Sequence, residues 1–430
     1  MIKLTGRNIK ISRLFQLSIL FLMLGIVSTL AHRHFKHAEV KHYILGSDME
    51  GYYQYLPFFF LHEWDDFDHL PWAKPYEDGK SLSVYTCGVA ILESPFFIAA
   101  HLTSVFLQLE DQDGYSNVYY TFIFFSALFY ALTGLLFIYK TLLRYFSEKT
   151  ALWASALTFF ATNLYYYTIF SPGMSHVYSF ALLAMYIYFV PVFYEKPTFK
   201  NTTFLILPLA LATLIRPTNL IAAIYFILYG ITIIPLLKQR MLFLIRKWYL
   251  LLLMLVAGIL VFVPQMAYWH KVTGHMFFYS YQNEGFPFIL KPHISTVLFG
   301  ARNGWYIYTP MMFFASLSLF YLVYKRMYSS LGILLPMVFI VYIDGSWWAP
   351  TFSAAAGYRA LIDFLPFMAI PLAYLLQQIY NSENKFLKNM ITVLIVFLVF
   401  YNIQFAFKYD SWLWWDTGWQ WKYLLRIFQF

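Results

Sequence analysis

Two acidic residues, Asp48 and Glu50, stand shortly after the first apolar stretch, in residues 46–57 (GSDMEGYYQYLP). Carboxylates are costly to keep beside apolar surface, so we expect this pair to serve a function. A desolvated carboxylate suits a general base that takes a proton from a sugar hydroxyl, and carboxylate oxygens can also hold a divalent cation. At positions i and i+2 the two side chains share a face only in extended backbone; in a helix they diverge by about 200°. Either the segment is an extended loop that presents both, or one of them is the functional group.

Other titratable groups nearby have simpler interpretations. The acidic run at 63–68 is typical of a solvated face, and the four histidines at 32–42 lack the compact spacing of a metal site and suggest a partly charged interfacial collar. The single Cys87 excludes an internal disulfide and a multi-cysteine metal centre. No cofactor is predicted, and a divalent cation is left open.

The composition requires a bilayer. Of 430 residues, 60% are hydrophobic and only 12% charged, which is more apolar surface than a soluble domain of this size can bury. Aromatic residues reach 22%, so many must pack between helices as well as at the membrane interface. The net charge of +9 comes from basic residues in short loops, so membrane orientation explains it better than nucleic-acid binding.

The elements that must position the acidic pair are apolar runs of spanning length. They predict an all-α fold, a polytopic transmembrane helical bundle of about eleven spans in one integral-membrane domain, 1–430. The stretch 83–109, which contains Glu93, Pro95 and His101, suits an interfacial or re-entrant helix better than a lipid-exposed span. The predicted spans are 14–31, 118–139, 150–170, 176–194, 203–215, 218–237, 248–268, 304–324, 331–345, 361–379 and 388–407.

Charge placement supports this layout. With the N-terminus in the cytoplasm and 83–109 not spanning, the N-terminus and the connecting loops on its side hold 17 of the 30 Lys and Arg. The same layout puts 18 of the 21 Asp and Glu, and all 11 His, on the other side or in the membrane halves next to it. We therefore expect the functional site on the extracytoplasmic face of a bacterial inner or plasma membrane. The segments there are 32–117, a first loop with interfacial helices, then 269–303, 344–360 and an aromatic interfacial tail, 408–430.

Three segments resemble the GT-C class of polytopic membrane glycosyltransferases, in its protein-mannosyltransferase-like and aminoarabinose-transferase-like branch. Residues 46–57 resemble the acidic start of that family's first outer loop. Residues 85–96 (YTCGVAILESPF) are similar to its Tyr-x-x-Gly…Pro-Phe segment, and 347–359 (WWAPTFSAAAGYR) to its late Trp-Trp…Gly-x-Arg segment. The resemblance covers most of the chain as an architecture. Many family members have two adjacent acids, whereas this chain has Asp-Met-Glu, so which acid matches the family base is open.

The resemblance implies a polyprenyl-phosphate-linked sugar donor, an inverting displacement and a lipid, glycan or protein acceptor. Asp48 would take the acceptor proton, and the lipid phosphate would leave without a general acid but beside cations. Arg359, next to Tyr358, is the first candidate for the cation beside the leaving phosphate, because of the resemblance and because Arg359 lies just before a predicted span. Arg216 and Arg302 also lie at outer boundaries. The alternative for these arginines is snorkelling to lipid headgroups.

Four further residues are candidate contacts for donor, sugar or acceptor. His176 begins a predicted span; the alternative is that it caps or packs a helix end. Asp344 either pairs with an arginine or lines the sugar site, and Trp347 follows it. Glu93 in the interfacial stretch is expected to point into the site.

Three other functions stay open. A flippase for lipid-linked saccharides would show charged spans or repeat symmetry, whereas this chain concentrates its ionisable groups at one face and has no convincing repeat. A polysaccharide polymerase or ligase would rely on an outer Arg and His pair. A non-catalytic membrane scaffold would leave Asp48 replaceable.

Overall fold

The computed structural model describes residues 11–36, 46, 48–61, 73–109, 111–352, 355–409, 421 and 424, with backbone alone for 11–17, 31–36 and 78. This part is an all-α bundle with one small antiparallel hairpin, in which Ala73 pairs with Ser83. The α-helices are Ile11–Lys36, Asp48–Tyr53, Tyr55–Phe60, Gly88–Phe106, Asn117–Leu142, Glu148–Phe160, Leu164–Ile169, Ser175–Glu195, Phe199–Ile215, Ala223–Leu228, Ile234–Arg246, Trp248–Thr273, Ile294–Phe299, Trp305–Tyr308, Pro310–Lys325, Ser330–Ser346, Leu365–Asn381 and Lys385–Lys408. Short 3-10 turns lie at Glu77–Gly79, Pro217–Ala222 and Arg359–Ile362.

Within the described residues, five helices are long and apolar enough to cross a membrane. Five shorter apolar helices accompany them, among them Phe199–Ile215 and Ser330–Ser346, where the sequence predicted the shortest spans. The all-α helical bundle is thus confirmed, its long apolar helices indicate a membrane protein, and the count of eleven spans stays a prediction. The five long helices are Gly88–Phe106, Asn117–Leu142, Ser175–Glu195, Trp248–Thr273 and Lys385–Lys408.

Two predicted spans are broken near their middle. The predicted span 150–170 ends as a helix at Phe160, and a separate short helix begins at Leu164. Thr162 lies between them, where its hydroxyl donates to the carbonyl of Thr158 and accepts from the amide of Leu164. Such side-chain bonds compete with the helical pattern of the backbone. The predicted span 218–237 is likewise divided, because a turn at 229–233 separates Ala223–Leu228 from a helix that covers the predicted loop 238–247.

The connections between helices collect at two opposite ends of the bundle. At one end, which we call the basic end, Arg144 lies 2.6 Å from Glu195, and the hydroxyl groups of Tyr145 and Tyr229 are 3.1 Å apart. The ring of Tyr328 packs on Tyr145 there. We call the opposite end, where Asp48 meets Arg359, the site end. The basic connections predicted to share one side of the membrane therefore do share one end of the bundle.

Two helices pack closely side by side between these ends. Helices Asn117–Leu142 and Ser175–Glu195 run parallel, since Ser126 contacts Tyr178 near the site end and Arg144 contacts Glu195 at the basic end. Gly134 permits this approach, because a Cβ atom there would lie 2.4 Å from the ring of Phe180. The parallel pair carries the start of the second helix, with His176, to the same end as Asp48.

Helix Gly88–Phe106 is long enough to cross a membrane, which the sequence did not lead us to expect. Its contacts nevertheless keep it near the site end. A Cβ atom on Gly88 would touch Ile215, which ends helix Phe199–Ile215. The carbonyl of Leu92 accepts a hydrogen bond from the hydroxyl of Tyr130. Nδ1 of His101 lies 2.7 Å from the hydroxyl of Tyr119. This helix therefore runs antiparallel to the first half of Asn117–Leu142 and away from the basic end.

Candidate functional site

An ion pair between residues 311 positions apart lies at the centre of the site end. Nη2 of Arg359 donates to Oδ2 of Asp48 at 2.7 Å. Asp48 begins helix Asp48–Tyr53, and Arg359 begins the 3-10 turn Arg359–Ile362. The side chains keep 17% and 15% of their surface exposed, so the pair is largely desolvated yet reachable from outside. Burial lowers the pKa of Arg359, but Asp48 and the neighbouring Tyr167, Tyr52 and Tyr85 together raise it above the ordinary arginine value.

Two tyrosines enclose the Asp48 carboxylate. The hydroxyl of Tyr85 hydrogen-bonds to it, and burial together with the charge of Asp48 raises the pKa of this phenol well above its usual value. Burial, then Asp48, raises the pKa of Tyr52 to about 12, although Arg216 and Arg359 oppose the shift. The two rings are 4.6 Å apart. Both phenols are therefore neutral at physiological pH, and that of Tyr85 donates a hydrogen bond to Asp48.

A second polar cluster holds Arg216. Nη1 of Arg216 lies 3.7 Å from Oδ2 of Asp363 and 3.1 Å from Nδ1 of His176, which is 2.9 Å from Oδ1 of Asp363. Nδ1 of His176 either donates to Asp363 or accepts from Arg216, because a ring nitrogen with a hydrogen donates and one without accepts. Asn219 donates to Oδ2 of Asp363 at 3.1 Å. The buried carboxylate of Asp363 thus gathers three side chains.

Phe352 joins the two clusters. The guanidinium groups of Arg216 and Arg359 lie 5.7 and 5.9 Å from the centre of its ring. Its backbone φ is 51°, a conformation that is rare for a bulky residue and concentrates at functional sites. Tyr358 packs against the same ring at 5.4 Å. One aromatic ring therefore separates two cations that face the same region.

The loop that carries Arg359 is fixed from two directions. The amide of Ala356 donates to the hydroxyl of Tyr167 at 3.0 Å, and its carbonyl accepts from Asn163 at 3.2 Å. Gly357 has a φ of 71°, and a Cβ atom there would lie 2.9 Å from Tyr308. The Gly-Tyr-Arg sequence is thus a tight turn that aims Arg359 at Asp48.

Asp344 lies behind Arg216. It is 2% exposed, and its Oδ2 has no hydrogen-bond partner among the residues that the structure describes. Burial lowers the pKa of Arg216, but Asp363 and Asp344 together raise it. Burial is the main cause of the raised pKa of Tyr358, and the charge of Asp344 raises it further. Two carboxylates therefore face one guanidinium.

Glu50 points away from Asp48. The segment is helical rather than extended, so the prediction that an extended loop presents both carboxylates is wrong, and the alternative in which they diverge applies. Glu50 instead faces Tyr115, whose pKa is raised to about 12 by burial and then by Glu50 and Asp113.

Two other predicted residues, Trp347 and Arg302, differ in how they relate to this centre. Trp347 packs edge-on against Tyr281 at 5.9 Å, and Tyr281 senses the charges of Arg216 and Asp48. Arg302 forms no ion pair with a described residue, and its Nε is buried without a hydrogen-bond partner among them. Burial raises the pKa of Tyr409, and the charges of Arg359 and Arg302 both lower it. The structure thus does not bring Arg302 to Asp48.

Glu93 is buried in a separate polar group. Its Oε1 accepts from the hydroxyl of Tyr178 at 2.7 Å, and its Oε2 has no partner in the described part of the chain. Tyr178 also contacts Ser126, so this group lies within the packed helices and does not reach the Asp48 carboxylate. The expectation that Glu93 points into the site is not met by these contacts.

Among the described residues, no three His, Cys, Asp or Glu side chains converge in a cluster that could hold a metal ion. The acidic run at 63–68 and residues 410–420 of the tail lie outside the described residues, as do the side chains of the four histidines at 32–42.

The sequence analysis missed Asp363, Asn219 and Phe352. An acidic residue inside a predicted apolar span, as Asp363 is in 361–379, was a signal in itself, because such residues usually have a buried partner. Asn219, three residues after Arg216, and Phe352 carried no comparable signal.

Compared with known proteins, the sequence matches no family model and no curated protein sequence.

Proposed function

We propose that this protein is a GT-C-like membrane glycosyltransferase, which moves a sugar from a polyprenyl-phosphate donor to an acceptor hydroxyl with inversion at the anomeric carbon. The observation that carries the proposal is a partly exposed carboxylate, Asp48, beside two guanidinium groups at one end of an apolar bundle. This arrangement supplies a proton acceptor and two cations that can bind a phosphate.

The reaction uses each charge once. The acceptor oxygen forms a bond to the anomeric carbon while its proton passes to a carboxylate oxygen of Asp48. The bond between the anomeric carbon and the phosphate oxygen breaks, and its electron pair leaves with the lipid phosphate. That phosphate gains negative charge, which Arg359 and Arg216 stabilise through charge-assisted hydrogen bonds.

Arg359 links donor binding to base activation. Without donor it neutralises Asp48 at 2.7 Å, which stabilises the ionised carboxylate and weakens it as a base. A donor phosphate competes for the same guanidinium. Once Arg359 turns to the phosphate, Asp48 loses its counter-ion and becomes a stronger base just when the acceptor must be deprotonated. Arg216, anchored by Asp363, stays in place throughout.

The proposed site faces the extracytoplasmic side. Its support is the location of the basic connections at the opposite end of the bundle, since such loops are retained in the cytoplasm. The proposed partners are the polyprenyl-phosphate-linked sugar, surrounding membrane lipids and a lipid, glycan or protein acceptor.

The test is a lipid profile of cells that lack this gene and are complemented with wild type, Asp48→Asn or Glu50→Gln. Glu50 is a matched control, because it is an acid two residues away on the same helix that faces Tyr115. We expect a polyprenyl-phosphate sugar to accumulate without the gene, to persist with Asp48→Asn and to clear with wild type and Glu50→Gln.

An unchanged lipid pool in every strain would remove the donor class from the proposal. Clearance by Asp48→Asn would remove Asp48 as the base.

A further inference from the structure

Helix Ile234–Arg246 lies at the basic end and packs on the bundle along one face. Leu244 is buried, and the ring of Phe243 contacts Tyr194. The guanidinium of Arg240 stacks on the ring of Tyr194 at 3.5 Å and donates to the carbonyl of Tyr229 at 2.6 Å. These contacts fix the rotation of the helix about its axis.

The fixed rotation leaves an apolar strip outside. Ile234, Leu242 and Ile245 are 83%, 46% and 65% exposed, and at 100° per residue they fall within one strip about 80° wide. The strip continues into the exposed apolar surface of the next helix, where Trp248 and Leu252 are 62% and 49% exposed.

Basic residues occupy and border this strip. Lys238 lies within it, and Arg246 lies on the adjoining polar edge beside Gln239. Neither Lys238 nor Arg246 forms an ion pair with any residue that the structure describes. Positions 234–247 contain four basic residues and no acid. The helix therefore presents unneutralised positive charge next to exposed apolar side chains.

We propose that Ile234–Arg246 is an interfacial helix that binds anionic phospholipids at the basic end. Its apolar strip sits at the boundary between headgroups and acyl chains, and Lys238 and Arg246 contact the phosphates, with Lys238 extending past the strip to reach them. This site is separate from the proposed catalytic site and does not depend on it.

A lipid surface fits this helix better than a protein partner does. The apolar strip is continuous with helix Trp248–Thr273, whose exposed apolar face is long enough to span a bilayer. Each basic residue close to an anionic membrane surface contributes on the order of a fivefold gain in affinity.

The first experiment compares lipid binding to the purified full chain in detergent by native mass spectrometry. The probes are phosphatidylglycerol and phosphatidylcholine with the same acyl chains. We expect wild type to bind phosphatidylglycerol more tightly than phosphatidylcholine. In K238Q/R246Q the ratio of the two affinities should fall about fivefold for each charge removed. K385Q/K388Q removes two charges from another helix at the same end and should keep the preference. Equal binding of the two lipids by wild type, or equal losses in the two double variants, would overturn the proposal.

A second experiment locates the strip. Cys87 is buried, so a thiol-reactive fluorophore on an Ile245→Cys variant reports on one position in nanodiscs. Strong quenching by a lipid labelled near its headgroup, with little quenching by aqueous iodide, is expected. Strong iodide quenching that is relieved only by an added soluble protein would contradict the proposal and favour a protein-docking surface.

Discussion

Replacing Asp48 with Asn and Arg359 with Gln, singly and together, separates a structural ion pair from a catalytic one. Each single variant removes the opposite charge that lies 2.7 Å from its largely buried partner. Breaking a fully buried pair costs about 3–5 kcal/mol, and an exposed pair is worth at most about 1 kcal/mol. With 17% and 15% of the side chains exposed, we expect each single substitution to destabilise the protein by about 2–3 kcal/mol.

The double variant removes both charges of the pair at once. We therefore expect it to lose only about 1–2 kcal/mol against a sum of about 4–6 kcal/mol for the single variants, a coupling energy of about 3–4 kcal/mol, as measured by unfolding in mixed micelles of increasing dodecyl sulfate content. Activity should behave differently, because both groups contact substrate. Loss of a general base costs about 10²- to 10⁴-fold, so Asp48→Asn and the double variant should both be inactive in donor cleavage.

A matched control is Glu195→Gln at the basic end, which breaks a 2.6 Å pair with Arg144 far from the site. It should lower stability modestly and leave transfer unchanged. The reasoning is refuted if the double variant regains transfer along with stability, since the pair would then be structural.

Three further predictions concern other parts of the molecule. Asp363→Asn should raise the KM for donor more than it lowers kcat, because it frees Arg216 from its anchor; an effect confined to unfolding stability would make Asp363 merely structural. The free energy of unfolding should fall as pH rises from about 10 to 12, because Tyr115, with a pKa of about 12, keeps a phenolic proton in the folded protein that it loses in the unfolded chain. Tyr115→Phe should reduce the slope of the unfolding free energy against pH by up to about 1.4 kcal/mol per pH unit. An unchanged slope would argue against the burial of that phenol. Cysteines placed at Glu77 and Asp113, before and after helix Gly88–Phe106, should react with an impermeant thiol reagent from the same side of the membrane, and labelling from opposite sides would mean that this helix crosses it.

The sequence predicted the long helices well because lipid-facing surface leaves a simple signal, an uninterrupted apolar run. It failed where polar side chains act on the backbone, as at Thr162, and where basic residues stand on a helix, as in Ile234–Arg246. Lys238 and Arg246 suggested a loop, although their spacing also fits a helix that lies at an interface.

The site was predicted only in part. Asp48, Arg216 and Arg359 stood out because each is a charged residue at a membrane boundary, and the structure brings them around Phe352. The pairing of Asp48 with Arg359 depends on how the helices and loops of the described chain pack, which no local pattern encodes. Glu50 shows the same limit, since only the backbone conformation decides that it diverges from Asp48.

The central claim is that the sugar leaves its lipid at Asp48. The most direct measurement uses proteoliposomes that contain purified protein and a polyprenyl-phosphate donor with a radiolabelled sugar, supplied with extracted envelope acceptors. The account predicts that label passes from the lipid to acceptor with wild type and Glu50→Gln, and stays on the lipid with Asp48→Asn. Label that crosses the bilayer while still attached to intact lipid, equally with all three proteins, would contradict the account and favour a flippase.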